Sequence, residues 1–195
     1  MAAADTNHAA PDPSAWVCRW AACIPPGGRV LDLAAGTGRH ARLLAALDHP
    51  VEAVDRDAAA MSGLKGVAGI RTRVADIEAG SWPYPSEAFA GVVVTNYLHR
   101  PLLALLVAAV APGGVLIYET FAAGNERFGR PTNPDFLLRP GELLDAVRGR
   151  LRVLAYEDLE VEVPKRAMVQ RICAQRSTAE RTAAQGSTAQ GSASE

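Results

Sequence analysis

The feature that most constrains the fold is a glycine-rich turn between an apolar strand and a helix, in the segment VLDLAAGTGRHARLL of residues 30–44. The part from Gly36 to Ala41 satisfies the pattern G-x-G-x-x-G/A, in which a tight turn brings a ligand close to backbone amides at a helix N-terminus. Such a turn joins a parallel strand to the helix that covers it. The segment therefore predicts an open α/β sheet with a ligand site at its carboxyl edge.

Short apolar runs and helical patterns alternate along the rest of the chain. Strands are predicted at residues 29–33, 51–54, 70–74, 91–95 and 115–119, and helices at residues 14–22, 39–48, 58–65, 101–110 and 141–148. Continuous apolar strands separated by helices indicate a parallel sheet that is covered on both faces. Two more strands, at residues 151–157 and 167–174, have no helix between them and should form an antiparallel hairpin. The sequence thus predicts one α/β domain over residues 14–176.

The composition of the two chain ends and the overall charge limit the classes of protein to which this chain can belong. Residues 1–13 and 177–195 are polar, lack apolar periodicity and are expected to be disordered. The chain has a net charge of −1 and 49% hydrophobic residues, so we expect a cytoplasmic protein that binds neither bulk nucleic acid nor a membrane. Its four histidines and three cysteines do not cluster, so no metal site is expected. The oligomeric state stays open.

A carboxylate at the entrance of the glycine turn discriminates between ligand classes. Asp32 lies in the first predicted strand, where it would repel a pyrophosphate by about 4 kcal/mol at a separation of about 4 Å and an effective dielectric constant of about 20. The same carboxylate attracts an ammonium group. S-adenosylmethionine, an adenosine derivative with an ammonium and a sulfonium, therefore fits this turn better than a dinucleotide does.

Two further acids follow neighbouring predicted strands. Asp55 ends the second strand, where a carboxylate can accept both ribose hydroxyls. Asp76 ends the third strand, well placed for the adenine amino group, and apolar Ile77 follows it. A single acid at such a position is more often a solvated residue or a helix cap. Three acids at the ends of three parallel strands instead indicate one nucleoside site, because ligands of open α/β sheets bind at those ends.

These segments, followed by VVVTNYLHR and APGGVLIYET, closely resemble the class I S-adenosylmethionine-dependent methyltransferases over about residues 14–174. The resemblance implies a Rossmann-like, doubly wound sheet of seven strands in the order 3-2-1-4-5-7-6, with strand 7 antiparallel. Residues 118–144 are similar to the matching segment of small bacterial methyltransferases of the tellurite-resistance and thiopurine type.

The resemblance also implies contacts with S-adenosylmethionine. The implied cofactor residues follow the first four strands, and they are Asp32, Ala34, Gly36, Gly38, Asp55, Arg56, Asp76, Ile77 and Asn96. The first four would surround the methionine part. Asp55 would bind the ribose, and Asp76 with Ile77 the adenine. Asn96 and its neighbour Tyr97 would border the transferred methyl group.

Methyl transfer is an in-line displacement for which a protein mainly orients the reactants and excludes water. A general base is needed only if the acceptor must lose a proton, and His99 is then the candidate, with Tyr97 as a second catalytic candidate. The alternative interpretation is that His99 caps or packs the helix that starts at Pro101.

Candidate acceptor contacts lie at the end of the fifth strand and in the long loop of residues 121–140, since loops of that length are commonly functional. Tyr118, Glu119 and Thr120 should face the acceptor, and Arg127 and Arg130 are suited to hold an anionic one. The alternatives are that Glu119 is a structural hydrogen-bond acceptor and that the two arginines pair with nearby acids.

The sequence therefore predicts an S-adenosylmethionine-dependent methyltransferase with a small-molecule acceptor. Two alternatives remain open. An RNA or protein methyltransferase would need a basic stripe, whereas the arginines here are interspersed with acids. A non-catalytic adenosylmethionine-binding protein would keep the cofactor site and lack an acceptor pocket.

Overall fold

The computed structural model describes residues 12–85 and 88–178. The predictions of disorder for residues 1–13 and 177–195 fall outside this part of the chain, apart from residues 12, 13, 177 and 178.

One seven-stranded sheet organises the described residues, in the order β3-β2-β1-β4-β5-β7-β6. Its strands are β1 (Val30–Leu33), β2 (Val51–Asp55), β3 (Ile70–Val74), β4 (Phe89–Thr95), β5 (Val110–Phe121), β6 (Arg152–Val161) and β7 (Ala167–Gln175). The first five strands pair in parallel, and β7 is antiparallel to both β5 and β6. The predicted fold class, strand order and terminal hairpin are confirmed.

Strand β5 begins earlier than the sequence indicates. The predicted strand starts at residue 115, just after Pro112-Gly113-Gly114, yet the observed strand already begins at Val110. Val110 pairs with Phe89 and Val115 pairs with Gly91, so four residues of β5 bulge between two consecutive contacts with β4. The sheet therefore tolerates the proline and the glycines inside a strand, because they occupy the bulge.

Five short helices cover the sheet: α1 (Ala15–Trp20), α2 (Arg39–Ala46), α3 (Ala58–Ser62), α4 (Leu103–Ala108) and α5 (Glu142–Val147). Each lies within a predicted helix but is shorter. For example, α4 is preceded by the 3-10 turn Arg100–Leu102, because Pro101 has no amide hydrogen for a helical bond. None of the helices in the described ranges has the length and apolarity needed to cross a bilayer.

Side chains of the central strands alternate between two apolar layers. In β1, Leu31 and Leu33 pack on the side of α4 and α5, whereas Val30 packs on the side of α1 and α2 together with Trp16. All four residues of β1 are buried. Burial on both faces is what a parallel sheet between two helix layers requires.

A fully buried carboxylate stabilises the sheet away from its carboxyl edge. Glu52 of β2 accepts hydrogen bonds from Arg29 at 3.0 Å and from Arg73 at 3.1 Å, and Arg71 lies 3.7 Å away. The Tyr84 hydroxyl donates to the same carboxylate at 3.2 Å. Because a buried charge is tolerated only when it is paired, these donors are the condition for placing Glu52 inside the core.

We expect Glu52→Gln to lower the free energy of unfolding by about 1.5–3 kcal/mol, because charge-assisted hydrogen bonds from Arg29 and Arg73 are lost. Thermal melting should then shift down by roughly 3–12 °C. Arg71→Gln is the control, since its side chain is 71% exposed and its loss should cost less than about 0.5 kcal/mol. Equal melting temperatures for Glu52→Gln and the wild type would contradict this account.

Candidate active site

The glycine turn after β1 adopts backbone conformations that few residues accept. Ala34, Gly36 and Gly38 have φ angles of 54°, 55° and 80°. A Cβ atom at Gly38 would lie 2.4 Å from the Leu64 side chain, so glycine is required there by both conformation and space. Ala34 keeps a left-handed conformation without being glycine, which costs about 1–2 kcal/mol. Such strain is typical of functional turns.

The carboxylate of Asp55 fixes this turn to the end of β2. Its Oδ2 atom accepts a hydrogen bond from the Gly36 amide at 2.8 Å, and its Oδ1 atom accepts one from the Asp57 amide at 2.9 Å. Each carboxylate oxygen has two lone pairs, so Asp55 retains capacity for two further donors. The geometry is compatible with a ligand that presents a pair of hydroxyl groups.

The third acid follows β3 and is held in its charged form. Asp76 Oδ1 accepts hydrogen bonds from the Glu78 amide at 2.9 Å and the Ala79 amide at 3.1 Å. The amides of Ala79 and Glu78 lower the pKa of Asp76, and His99 contributes to the same effect. Ile77, the residue between these groups, is buried.

The turn after β4 adds another strained position. Asn96 has a φ of 53° and donates its amide hydrogen to the Glu119 carbonyl at 2.9 Å. The Tyr118 hydroxyl donates to the Tyr97 carbonyl at 2.8 Å. The buried hydroxyl of Tyr97 has no hydrogen-bond partner among the described residues. Burial, followed by the nearby Glu78 carboxylate, raises the pKa of Tyr97 and keeps it neutral.

These turns enclose one cavity of about 400 Å³ at the carboxyl ends of β1 to β5. It is lined by Ala34, Asp55, Arg56, Asp76, Ile77, Glu78, Asn96, Tyr97, Leu98, Thr120, Phe121, Pro131 and Phe136. Acidic side chains cluster where β2 and β3 end. Aromatic and apolar side chains cluster where β4 and β5 end. A volume of this size is typical of small-molecule sites.

The cavity brings together some of the sequence-predicted residues and leaves others out. Those that line it are Ala34, Asp55, Arg56, Asp76, Ile77, Asn96, Tyr97 and Thr120. Those that do not are Asp32, Gly36, Gly38, His99, Tyr118, Glu119, Arg127 and Arg130. Gly36 still acts at the cavity by fixing Asp55, and Tyr118 supports the backbone of Tyr97 from below.

His99 caps the turn that precedes α4, which is the structural alternative to a catalytic role. It is the N-cap residue of the 3-10 turn Arg100–Leu102, and its carbonyl accepts the Leu102 amide at 3.0 Å. The cap uses the backbone and leaves the imidazole half-exposed beside Asp76. A role as general base stays a prediction.

The side chain of Glu119 is engaged on the face of the sheet covered by α1. Its Oε1 atom accepts the Ser14 hydroxyl at 2.8 Å, and its Oε2 atom accepts Arg171 at 3.2 Å. Ser14 is also the N-cap of α1. This placement corresponds to the structural interpretation of Glu119 and attaches the N-terminal helix to β5.

Arg127 and Arg130 also lie away from the cavity. The Arg127 side chain donates to the Gly124 carbonyl at 3.0 Å and stacks over Phe128, and Arg130 is exposed.

Five residues that line the cavity were not predicted as site residues from the sequence, and they are Glu78, Leu98, Phe121, Pro131 and Phe136. Phe136 could have been found, because it is an aromatic residue within an otherwise polar loop.

Two buried titratable groups lie beneath the glycine turn. Asp32 is almost fully buried, and its Oδ2 atom has no hydrogen-bond donor within the described part of the chain. Burial raises the pKa of Asp32 to about 7, although the Ala41 amide and Arg39 oppose this shift. A buried carboxylate oxygen without a donor suits a ligand ammonium group. This observation fits the residues to S-adenosylmethionine better than to an anionic ligand.

His40 is the second buried group. Burial and the nearby Arg39 lower the pKa of His40 to about 4. Its Nε2 atom accepts the Ser14 amide at 3.0 Å, and its Nδ1 atom lies 3.3 Å from the Thr95 hydroxyl. Because Nε2 is an acceptor, the neutral ring carries its proton on Nδ1. His40 therefore joins α1, α2 and β4 as an uncharged group.

No group of three histidine, cysteine, aspartate or glutamate side chains that would hold a metal ion occurs within residues 12–85 and 88–178.

Comparisons with known proteins identify a family model for part of the chain and solved structures with the same fold. Residues 30–114 match the family model described as a methyltransferase domain, a segment that runs from β1 into β5 and contains the three strand-end acids. No protein of curated function matches the chain.

Solved structures share the fold at low sequence identity. TehB from Haemophilus influenzae superposes with a TM-score of 0.67 at 20% identity over 82% of this chain, which spans 61% of that chain. An S-adenosylmethionine-dependent methyltransferase from Mesorhizobium loti gives 0.64 at 17% identity, over 83% of this chain and 98% of that one. A coclaurine N-methyltransferase bound to N-methylheliamine and SAH gives 0.57 at 17% identity, over 74% and 49%.

The chain therefore shares the fold of solved structures that include an S-adenosylmethionine-dependent methyltransferase, and residues 30–114, less than half of the chain, match the methyltransferase domain model.

The two buried groups make opposite contributions to the pH dependence of stability. Between about pH 4 and 6.5, the folded protein holds a proton on Asp32 that the unfolded chain lacks. It also lacks a proton on His40 that the unfolded chain holds. The stability due to Asp32 is lost as pH rises from about 4 to 7, and that due to His40 is lost as pH falls from about 6.5 to 4.

We expect Asp32→Asn to remove the contribution of Asp32 to the pH dependence of stability and to leave that of His40. The free energy of unfolding of this variant, relative to the wild type, should rise by about 2 kcal/mol between about pH 5 and pH 7, because only the wild type must ionise a buried carboxyl. Denaturant titrations at several pH values measure this difference. Asp57→Asn, which keeps a capping oxygen at the exposed start of α3, should show no such rise. Parallel pH profiles for Asp32→Asn and the wild type would refute the assignment.

Proposed function

We propose that the protein transfers the methyl group of S-adenosylmethionine to a small-molecule acceptor in the cavity at the carboxyl ends of β1 to β5. The observation that carries this proposal is the continuity of the cavity, in which the acids after β2 and β3 and the aromatic residues after β4 and β5 line one space. A nucleoside site and a second, apolar site therefore meet at the turn of Asn96 and Tyr97.

The chain's own residues have distinct roles in holding the donor. Asp55 binds the ribose hydroxyls and keeps the glycine turn in place through Gly36. Asp76 accepts the adenine amino group, and Ile77 packs against the ring. Asp32, buried beneath the glycine turn and outside the cavity lining, would act on the ammonium group through its charged form, in which its Oδ2 atom lacks a donor. When bound, the donor supplies a methyl group that its sulfonium activates for displacement.

The acceptor side of the cavity contributes orientation and shielding from water. Tyr97, Phe121 and Phe136 form an apolar boundary there, and excluding water strengthens the electrostatic interactions inside the site. The Tyr97 hydroxyl is neutral, and burial raises its pKa well above the usual range, so Tyr97 orients by hydrogen bonding. A reaction whose acceptor is already nucleophilic needs no further group.

A small molecule accounts for this site better than a nucleic acid does. Three carboxylates, those of Asp55, Asp76 and Glu78, line the cavity, whereas Arg56 is the one cationic side chain among its described lining residues. The net charge of the chain is −1. A phosphate backbone would meet repulsion at the cavity mouth, where binding requires lysine and arginine.

The cofactor site predicts a specific binding defect. Asp55→Asn should weaken binding of S-adenosylhomocysteine, measured by titration calorimetry, by roughly 10-fold to 100-fold, because each lost hydrogen bond to a charged group contributes about 1.5–3 kcal/mol. Asp57→Asn lies two residues away outside the cavity and should bind as the wild type does.

Two results would decide against the proposal. Tight binding of NADH without binding of S-adenosylmethionine or S-adenosylhomocysteine would exclude the donor. Donor binding without transfer of labelled methyl to any of a broad set of small acceptors would instead favour a non-catalytic adenosylmethionine-binding protein.

A further inference from the structure

One short segment separates the active-site cavity from a second cavity. Residues 131–137, called here the loop wall, contribute Pro131 and Phe136 to the active-site cavity. The second cavity, of about 390 Å³, is lined by Arg100, Ala123, Gly124, Glu126, Thr132, Pro134, Asp135, Leu137 and Arg139. The loop wall thus has open space on both sides. Its two ends are held by the buried side chain of Leu137 and by a hydrogen bond from the Asn125 side chain to the Pro131 carbonyl at 3.1 Å.

A partly exposed guanidinium holds the part of the loop wall around Phe136. Arg100 donates one hydrogen bond to the Asp135 carbonyl at 2.7 Å and another to the Leu137 carbonyl at 2.8 Å. The two accepting carbonyls flank Phe136 in the sequence. Arg100 therefore holds the backbone on both sides of the residue that faces the active-site cavity.

The same guanidinium is anchored to the core by Glu142 at the start of α5. Its Nε atom donates to Glu142 at 2.7 Å and its Nη2 atom at 3.0 Å, and Glu142 also accepts the Arg139 amide at 2.8 Å. Burial alone would raise the pKa of Glu142, but the hydrogen bonds from Arg100 and Arg139 lower it. The pair is charged at neutral pH and connects the loop wall to a helix.

Phe136 is a large apolar residue that is 54% exposed although it borders a cavity. Tyr97, Leu98, Phe121 and Pro131 line the same side of the cavity. An exposed aromatic face at the rim of an apolar pocket gains free energy when an apolar ligand covers it. The acceptor that fits this side has a planar, apolar body.

The charges around the cavity restrict the acceptor further. Glu78 lines the cavity beside Tyr97 and raises the pKa of its hydroxyl. Arg56 lines the cavity as well, but the carboxylates of Asp55, Asp76 and Glu78 outnumber it. The loop arginines add no compensating charge, because Arg127 is engaged with Gly124 and Phe128 and Arg130 lines neither of the two cavities. An anionic acceptor would be repelled.

We infer, building on the proposed function, that Phe136 selects a planar apolar acceptor without negative charge, and that Arg100 is the positioning residue that holds Phe136 against it. Arg100 itself does not line the active-site cavity. Its effect on the acceptor passes through the backbone of the loop wall.

The first test measures the loop wall directly. Arg100→Ala should speed hydrogen exchange of the Phe136 and Leu137 amides at least about tenfold, because the carbonyls beside them lose a charged donor. Arg100→Lys, which restores a charge but not the fork of donors, should recover part of the protection and serves if Arg100→Ala does not fold. Arg148→Ala, which removes an exposed guanidinium paired with Asp145, is the control. Unchanged exchange in both Arg100 variants would overturn the positioning role.

The second test measures selectivity with three ring-matched probes, benzyl alcohol, benzylamine and phenylacetate, titrated by NMR onto protein saturated with S-adenosylhomocysteine. We expect benzyl alcohol and benzylamine to bind at least about tenfold more tightly than phenylacetate. Phe136→Ala should weaken the first two roughly tenfold, and Phe136→Leu less, because leucine keeps most of the apolar area. Arg100→Ala should weaken them without changing the affinity for S-adenosylhomocysteine.

Separate outcomes distinguish this inference from the proposed function. Failure of S-adenosylhomocysteine to bind removes the proposed function, whereas the hydrogen-exchange result still reports on Arg100. Binding of S-adenosylhomocysteine with equal affinity for phenylacetate and benzyl alcohol, or with no saturable binding of any probe, overturns the inference and leaves the donor site intact.

Discussion

Strand β1 pairs in parallel with β2 on one side and with β4 on the other, so that its backbone is hydrogen-bonded along both edges and its side chains are buried on both faces. Everything at the carboxyl edge depends on this arrangement. Because parallel strands end on the same side, the turns after β1, β2, β3 and β4 converge within one cavity. The hydrogen bond between Gly36 and Asp55 then converts neighbouring strand ends into a single rigid site.

The titratable side chains that are buried near this edge of the sheet are either uncharged or paired with a partner. The folded protein accommodates Asp32 in its protonated form at mildly acidic pH and His40 in its unprotonated form, because burial penalises each charge. On the face of the sheet covered by α1, the charged Glu119 accepts hydrogen bonds from Arg171 and Ser14. Through Ser14, the start of α1 contacts both Glu119 of β5 and His40 of α2, the helix that follows the glycine turn.

Much of the cavity wall formed by the turns after β1 to β4 was predictable from local sequence. Strand positions follow from runs of apolar residues, and the predicted strand β3 coincides with the observed one. Asp55, Asp76 and Asn96 come directly after strands, so their convergence follows from parallel topology alone. The short spacing between a strand and the first residues of its turn leaves little conformational freedom. Residue type and position in the sequence therefore determine where these side chains lie.

The acceptor side was decided by the tertiary structure. Of the predicted acceptor contacts, Thr120 lines the cavity, whereas Tyr118, Glu119, Arg127 and Arg130 do not. Phe136 does line it, because Arg100, distant in the sequence, holds the backbone on both sides of Phe136. A long loop has no periodicity from which its path can be read, and its conformation depends on contacts with residues far away in the chain. The sequence by itself determined the sheet and the turns that follow its first four strands, since their conformations are local, whereas the loop wall required the folded core.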